Sequence, residues 1–401
     1  MKKTIRTAAV FFLILFTYNL IHADLIAFYK KGTIKLTPDP DFGADVDWET
    51  LFYDKYKDLV VAPDGTIFVS NNRLHNIFKF SGKGNFVEKF GQKGTGPSDL
   101  NHPGELSILD GKYVLVGEYA SNRRASLFDL AGKYVKVIKT YNSLFSPIAL
   151  KNNKIAYMAY KNPEGIKKNS SLIETLKQTK IIIKDVASSK ETVVDSIEIP
   201  DKSWIRLKGS RGVIRLENCI GQVMLAQAKD GHLVVGASNS PVIQIYLENG
   251  KLLHSFPLKM APVPVTSDYI AKFKAYKIAS NSSLTGQDAA VGRYMAKLMK
   301  KFPFEHFFGE HLPYYRKIMV DSEGNILVFK WTDCIGDCLK IFQVYSPDGT
   351  FICETKIDPG TFDFEISYHR NTIAFTDKGI FGLFHLKDGE DTVRLVKVNV
   401  W

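Results

Sequence analysis

The sequence of 401 residues predicts an all-β fold, a six-bladed β-propeller of four-stranded antiparallel blades with a small helical insertion between blades four and five. Three observations support this prediction. Short apolar runs rich in Val, Ile, Phe and Tyr recur along the chain, as they do in β-strands. Pairs such as Asp64-Gly65 separate the runs and tolerate the positive φ of two-residue hairpins. The pattern repeats about every 45 residues, which is typical of propeller blades.

Each blade is located by the turn that joins its first two strands. These turns are predicted at Asp64-Gly65, Asp110-Gly111, Asn152-Asn153, Asp230-Gly231, Glu323-Gly324 and Arg370-Asn371. The corresponding blades cover about 58–90, 105–140, 146–197, 219–257, 315–357 and 363–399. The segment from Leu25 to Leu36 is predicted to form an extra strand beside the last blade and to help close the ring, because an open sheet edge invites aggregation.

Residues 1–23 are predicted to be a signal peptide, and residues 24–401 the propeller domain. Lys2, Lys3 and Arg6 precede an apolar run, and Ala23 offers a small residue at a cleavage point. The apolar run falls short of the roughly 20 residues that a spanning helix needs. We therefore expect an exported monomer, periplasmic or extracellular, with no transmembrane segment after cleavage. An uncleaved anchor is the alternative.

The charge of the chain bears on its partners. Removal of Lys2, Lys3 and Arg6 lowers the formal net charge from +11 to +8. An exported basic protein meets anionic glycans, lipid head groups or acidic proteins, and we expect no nucleic acid partner. A solvated basic surface that keeps the protein soluble is the alternative interpretation.

Four cysteines suit an oxidising compartment: Cys219, Cys334, Cys338 and Cys353. Cys334 and Cys338 lie between two strand runs and are the candidate disulfide, a local clip that closes a short loop. Cys219 and Cys353 either form a second bridge or remain as buried thiols. The spacing of Cys334 and Cys338 is one residue longer than the CxxC of common zinc sites, and no histidine lies nearby.

The long connections are predicted to open on one face of the disc. They are the loops at Tyr160–Thr179 and Trp331–Asp337 and the blade-to-blade crossovers at Gly91–Gly104, Ile199–Asn218 and Leu258–Tyr314. Long loops on one side of a rigid scaffold often carry function, so this face is the predicted recognition surface. Decoration that only covers apolar surface is the alternative.

The crossover between blades four and five is predicted to be helical over about 264–312. Ser267 is a candidate N-cap for a helix from Asp268 to about Ser280, and Thr285-Gly-Gln-Asp288 resembles a capping box. In the second helix the spacing predicts a buried stripe: Val291, Tyr294, Met295, Leu298 and Phe302. Basic residues fill another face: Arg293, Lys297, Lys300 and Lys301. A lid over the channel, a basic helix on an anionic surface and a simple packed pair all remain open.

Several segments resemble NHL-repeat proteins, and especially the bacterial exported six-bladed propellers of that kind. They are Phe90-Gly-Gln-Lys-Gly94-Thr-Gly96-Pro97 with Leu100-Asn-His-Pro103, Gly117 to Gly132, Val320 to Val328, and Tyr345-Ser-Pro-Asp-Gly349. NHL-type relatives include lyases whose metal-bound histidines project toward the channel. This sequence departs from that pattern, because His102 is the only histidine at a comparable crossover position. A metal site needs three or four convergent ligands, so we predict no metal and no cofactor.

The leading hypothesis is a non-catalytic module that binds a glycan, peptide or partner protein on the long-connection face. Arginines there offer forked donors for carboxylate or phosphate, and aromatic rings offer flat surface for a sugar or peptide. The ligand-binding candidates are Asn72, Arg73, His102, Glu118, Tyr119, Arg123, Arg124, Tyr160, Asn239, Trp331, Asp333 and Asp377. The alternative is a metal-assisted lyase or hydrolase at the mouth of the channel. The catalytic residues are unknown.

Overall fold

The computed structural model describes residues 24–48, 58–118, 124–140, 145–161, 172–206, 213–215, 219–283, 289–331, 340–363, 366, 371–386 and 393–398. Within these residues the chain forms six antiparallel sheets that follow one another along the sequence. The fold is a six-bladed β-propeller, as predicted. The innermost strands of the six sheets line a central channel.

The first three blades follow a short N-terminal strand, β1 (Thr33–Lys35). Blade one contains β2 (Leu59–Val61), β3 (Ile67–Asn71), β4 (Asn76–Phe80) and β5 (Phe86–Phe90). Blade two contains β6 (Pro103–Leu109), β7 (Tyr113–Glu118), β8 (Arg124–Asp129) and β9 (Tyr134–Lys139). Blade three contains β10 (Phe145–Leu150), β11 (Lys154–Lys161), β12 (Leu172–Asp185), β13 (Glu191–Arg206) and β14 (Val213–Arg215).

Blade four contains β15 (Val223–Gln227), β16 (Leu233–Ala237), β17 (Val242–Tyr246) and β18 (Leu252–Pro257). Blade five contains β19 (Tyr315–Val320), β20 (Ile326–Lys330), β21 (Lys340–Tyr345) and β22 (Phe351–Asp358). Blade six contains β23 (Phe362–Asp363), β24 (Ile373–Thr376), β25 (Gly379–Leu386) and β26 (Val393–Val398).

Five of the six predicted first-hairpin turns are confirmed. They connect β2 to β3, β6 to β7, β10 to β11, β15 to β16 and β19 to β20. Gly65, Asn152 and Gly324 have φ values of 92°, 61° and 96°. Residue pairs of this kind tolerate the left-handed backbone region, which is why they predict hairpin turns. The three φ values show that these turns adopt that region.

The prediction for blade six was wrong about its first turn. The hairpin closes at Asp377 and Lys378, between β24 and β25, and not at Arg370-Asn371. Both β23 and β24 pair with the same edge of β25. β24 and β25 are therefore the first and second strands of the blade rather than the second and third, and Asp377, in the turn between them, lies at the opposite end of the blade from the predicted one.

The N-terminal segment closes the ring differently from the prediction. Leu25–Tyr29 is a helix, α1, whose N-cap Asp24 accepts a hydrogen bond from the backbone N–H of Ala27 at 2.9 Å. The following strand β1 pairs in parallel with β22 of blade five and not with the last blade. Blade six is contacted by Pro38, through a bridge to Val398, and by Asp39, whose N–H donates to the carbonyl of Lys397 at 2.8 Å. The segment thus crosses the outer edges of two blades and covers them.

Blade three is larger than predicted. Strands β12 and β13 pair from Leu172–Ile205 to Lys184–Glu191, and β14 extends the sheet further. Much of the predicted loop at Tyr160–Thr179 and of the predicted crossover at Ile199–Asn218 is therefore strand.

The core is divided among the blade-to-blade interfaces. The described apolar residues form one cluster between each pair of neighbouring blades, including blades six and one, where Phe381 and Leu395 pack with Val69 and Phe80. The main chain crosses the same junction, because the N–H of Leu59 donates to the carbonyl of Asn371 at 2.8 Å. The ring is closed at this junction by both packing and hydrogen bonding.

The insertion between blades four and five contains α2 (Ser267–Ser282), α3 (Ala289–Met299) and a 3₁₀ helix, Phe304–Phe307. Thr266, one residue before the predicted cap, accepts a hydrogen bond from the N–H of Tyr269 at 3.1 Å. The predicted capping box at 285–288 lies outside the described residues. The insertion has its own core, in which Phe273, Phe307 and Phe308 pack with one another.

The predicted buried stripe is confirmed at Phe302, Met295 and Leu298, which pack in or against the insertion core, and it is wrong at Val291 and Tyr294. Gly292, Ala296 and Met299 are the buried residues of this helix, whereas Val291 and Tyr294 are 62% and 54% exposed. Met299 also packs in the phenylalanine core. The part of the predicted stripe formed by Val291 and Tyr294 therefore faces solvent.

The two faces of the disc carry different connections. The first-to-second and third-to-fourth strand turns are short and share one face, for example 62–66, 81–85 and 130–133. The second-to-third strand loops and the crossovers share the other, which includes 91–102 and the insertion at 258–314. We call this second surface the long-connection face. Of the helices described, none is both long and apolar enough to span a bilayer.

Candidate functional site

The central channel contains a cavity of about 300 Å³, lined by the innermost strands of all six blades. Its wall is mainly apolar and includes Val60, Ile148 and Met224. Polar lining residues occur toward the two ends of the strands: Glu105, Ser146, Lys317 and Asn371 at one end, and Gln227, Asp321, Ser322 and Thr376 at the other. Each innermost strand begins at the long-connection face, so Glu105 and Lys317 lie toward that face and Asp321 lies toward the opposite one.

Three charged side chains form the centre of the candidate site. Lys317 of β19 is 7% exposed, Asp58 before β2 is 1% exposed, and Glu105 of β6 is 9% exposed. Both carboxylates interact electrostatically with the Lys317 ammonium group. Blades one, two and five therefore meet in one charged group, which we call the channel cluster.

The electrostatics of the channel cluster are set first by burial. Loss of solvent lowers the pKa of Lys317 from 10.5 to about 8, although the Asp58 and Glu105 carboxylates act in the opposite direction. A buried ammonium group loses more hydration than two nearby carboxylates return. Lys317 is thus poised to change its charge close to neutral pH.

The Asp58 and Glu105 carboxylates are each held by a nearby hydrogen-bond donor. The N–H of Asn371 donates to Oδ2 of Asp58 at 3.2 Å, and the N–H of Asp58 donates to Oγ of Ser70 at 3.0 Å. The hydroxyl of Ser146 donates to Oε1 of Glu105 at 3.3 Å. At Gly117, a Cβ would lie 2.7 Å from Cγ of Pro147 and 3.2 Å from Oε2 of Glu105. A side chain there would crowd Pro147 first and the Glu105 carboxylate second.

The arrangement suits a small ligand with an apolar part and a polar head. Ligand sites combine mostly apolar walls with a few convergent polar groups, and a volume of about 300 Å³ is at the lower end of their range. With Lys317 charged, the three side chains sum to a formal charge of −1, so positive groups and hydroxyls on a ligand are favoured over an isolated anion.

The predicted residues Glu118 and Arg124 form a second buried group, the crossover cluster. Nε of Arg124 donates to Oε1 of Glu118 at 2.8 Å, and Nη2 donates to the carbonyl of Asp99 at 2.7 Å. Oε2 of Glu118 accepts from the N–H of Asn101 at 2.8 Å. These contacts fix the 91–102 crossover to blade two, and they direct both side chains toward protein groups.

Asn72 and His102 lie together on the long-connection face. Nδ1 of His102 is 3.0 Å from Oδ1 of Asn72, and the N–H of His102 donates to Nδ1 of His75 at 3.1 Å. Burial, followed by the charges of His102 and Lys93, lowers the pKa of His75. Arg73 is exposed beside them. These residues form part of the rim of the face.

The remaining candidates are dispersed. The Tyr160 ring packs against Phe145, with the centroids 4.5 Å apart and the planes tilted by 44°. Trp331 is buried, and its Nε1–H donates to the hydroxyl of Tyr269 at 3.2 Å, so it docks the helical insertion on blade five. Asn239 is exposed on the β16–β17 loop, and Asp377 lies on the short-turn face.

Some predicted residues lie outside the described part of the chain: Tyr119, Arg123, Asp333, Cys334 and Cys338. Cys353 is a free thiol, so the bridge between Cys219 and Cys353 is not formed. Within the described residues, no group of three His, Cys, Asp or Glu side chains is placed to hold a metal ion.

Sequence reasoning missed the channel cluster. Asp58, Glu105 and Lys317 are distant in the chain, and none of the three belongs to a motif. One signal was available: each lies at or near the start of a predicted innermost strand, where charge is unusual.

Comparisons with known proteins concern the fold. Residues 55–201, most of blades one to three, match a family model described as a 6-bladed beta-propeller. No curated protein matches the chain. A solved structure of a DUF4221 family member from Bacteroides vulgatus is 13% identical, with 86% of this chain and 94% of that chain covered and a TM-score of 0.48.

Two further solved structures are similar to this chain in fold. A calcium-binding protein, regucalcin, from Agrobacterium tumefaciens is 10% identical, with 92% of this chain and 97% of that one covered and a TM-score of 0.39. A virginiamycin B lyase from Staphylococcus aureus is 11% identical, with 86% and 97% covered and a TM-score of 0.42. At these identities the likeness extends to the fold alone.

Proposed function

We propose that this chain is an exported propeller that acts as a binding module, with a small ligand held at the channel cluster and its head directed toward the long-connection face. The observation that carries the proposal is that Lys317 and Glu105 line an apolar-walled cavity of about 300 Å³, while the buried Asp58 carboxylate interacts with Lys317 beside it. Export is supported by the basic and apolar start of the sequence.

The chemistry of the cluster narrows the ligand class proposed from the sequence. Two carboxylates accept hydrogen bonds from amines and hydroxyls, and one ammonium group donates to an oxygen. An amino sugar or the N-terminal end of a short peptide meets these requirements. A purely anionic small ligand faces an excess of negative charge and is disfavoured.

A charge series on one carbon skeleton tests this proposal. Calorimetric titration of the purified protein with glucosamine, glucose and glucuronate is expected to give decreasing affinity in that order. A second series compares Ala-Ala with N-acetyl-Ala-Ala, which lacks the positive amine. Saturable binding of none of these ligands, or preference for the anionic members, would refute the proposal.

A matched pair of variants locates the binding. Glu105→Gln keeps the shape of the side chain and removes one charge, and we expect it to weaken binding of glucosamine at least about tenfold. Asp377→Asn makes the same chemical change on the short-turn face and is expected to leave binding unchanged. Equal effects of the two substitutions would place the ligand elsewhere. The metal-assisted alternative has no described ligand set to support it.

A further inference from the structure

Helix α3 exposes apolar side chains that its own packing does not use. Val291 is 62% exposed, which is the largest value among the described large apolar residues, and Tyr294 is 54% exposed. The inward contacts are made by Gly292, Ala296 and Met299. The outward apolar residues are thus additional to the core of the insertion.

The outward face of α3 divides into two sectors. At 100° per residue, Val291 and Tyr294 fall within one arc of about 60°, and both are exposed. The basic residues follow next around the helix axis and its C-terminal turn: Arg293, Lys297, Lys300 and Lys301. From Ala289 to Lys301 the sequence contains no acidic residue. An apolar strip beside an uninterrupted positive strip is therefore presented to solvent.

This combination matches an anionic lipid surface better than a protein. Helices that lie in a membrane interface insert apolar and aromatic side chains among the head groups and place Lys and Arg beside them. The apolar strip has only two large side chains, Val291 and Tyr294, too few for the core of a stable protein interface, which needs about 800 Å² from each partner. It is sufficient for shallow insertion when four positive charges add electrostatic attraction.

We propose that α3 docks the propeller on anionic bilayers through Val291 and Tyr294, with Lys297 and Lys300 on the lipid phosphates. The lysine stems extend along the apolar surface while their ammonium groups reach the head groups. The insertion belongs to the crossover between blades four and five, so the docked protein presents its long-connection face toward the membrane.

Vesicle co-sedimentation tests the docking. The full-length purified protein is mixed with phosphatidylcholine vesicles, or with vesicles of phosphatidylcholine and phosphatidylglycerol in a 3:1 ratio. We expect binding to the second kind only, and its loss when NaCl is raised from about 50 mM to about 500 mM, because the Debye length falls severalfold. Equal binding to both vesicles, or none to either, would overturn the proposal.

Surface variants separate the two sectors without disturbing the core. The pair Val291→Ser and Tyr294→Ser, and the pair Lys297→Glu and Lys300→Glu, are each expected to weaken binding at least about tenfold. The control pair Leu252→Ser and Leu253→Ser removes side chains that are 44% and 48% exposed on blade four and should change nothing. If the control has the same effect, or if α3 variants bind as well as the wild type, the helix is not the docking element.

A competition experiment distinguishes a lipid surface from an acidic protein as the partner of α3. Soluble poly-glutamate at the same charge concentration as the lipid is expected to displace little of the bound protein, because it provides no apolar phase for Val291 and Tyr294. Complete displacement would show that α3 recognises acidic polymers and would refute lipid docking. Glucosamine binding by the α3 variants is expected to match the wild type, which keeps this test independent of the channel cluster.

Discussion

The crossover cluster and the channel cluster are both buried charged groups near the long-connection face, yet their surroundings differ. Arg124 and Glu118 are enclosed by backbone carbonyl and N–H groups of the 91–102 crossover. Lys317 and Glu105 line a cavity. A buried charge whose hydrogen bonds all go to the protein has a structural role, whereas a buried charge at a cavity can exchange a water molecule for a ligand.

We expect Arg124→Met to lower the free energy of unfolding more than any substitution at the channel cluster. Removal of the guanidinium leaves the Glu118 carboxylate buried without its ion pair, which costs about 3–5 kcal/mol. Lys317→Met should cost less, about 1–3 kcal/mol, since cavity water can hydrate the carboxylates and the desolvated ammonium is removed as well. Urea unfolding measures both. Equal costs would mean that the two clusters have the same structural role.

The pH dependence of stability tests the channel cluster next. The folded pKa of Lys317, about 8, is below its ordinary value of 10.5, so between these values the unfolded chain binds more protons at this residue. The free energy of unfolding therefore rises with pH, by about 2 kcal/mol from pH 8 to pH 9.5. We expect this rise in the wild type relative to Lys317→Met. Parallel curves for the two proteins would show that Lys317 titrates normally.

A pair of serines provides a smaller and closely matched comparison. Ser126 is fully buried and donates to Oε1 of Glu118 at 2.9 Å, and Ser146 is half-buried and donates to Oε1 of Glu105 at 3.3 Å. Ser126→Ala is expected to cost about 1–2 kcal/mol, and Ser146→Ala less than about 0.5 kcal/mol, because water can replace the second donor only. Thermal or urea unfolding distinguishes these values. A larger cost for Ser146→Ala than for Ser126→Ala would contradict the assignment of the channel cluster as the one open to water.

The sequence predicts features that depend on neighbouring residues and misses those that depend on contacts between distant ones. Local chemistry sets the strands and the Asp-Gly turns, so five of the six first turns were located in advance. Glu118 and Arg124 were predicted as recognition side chains of the long-connection face, but the sequence did not indicate that they face each other. The channel cluster depends on ring closure, which brings Asp58 and Lys317 together across a separation of more than half the chain.

Other failures also arise from tertiary contacts. Leu25–Tyr29 has the apolar composition of a strand, but Asp24 caps it as a helix, and the Tyr29 hydroxyl donates to the Asp321 carboxylate at 3.0 Å. In α3, the small residues Gly292 and Ala296 are buried, whereas Val291 and Tyr294 are exposed. Hydrophobic periodicity alone treats a small residue as weakly apolar and so misplaces part of the buried face.

A partly exposed ion pair in blade five should contribute least to stability. Nζ of Lys330 lies 3.3 Å from Oε2 of Glu354, with side-chain exposures of 34% and 41%. Lys330→Met should cost less than about 0.5 kcal/mol, because water hydrates both charges and the pair is screened by salt. Glu354 also keeps a hydrogen bond from Nε2 of Gln343 at 3.0 Å. A cost above about 1 kcal/mol in urea unfolding would mean that access to solvent does not decide the energy of charged pairs in this protein. The distinction between the enclosed crossover cluster and the open channel cluster would then lose its physical basis.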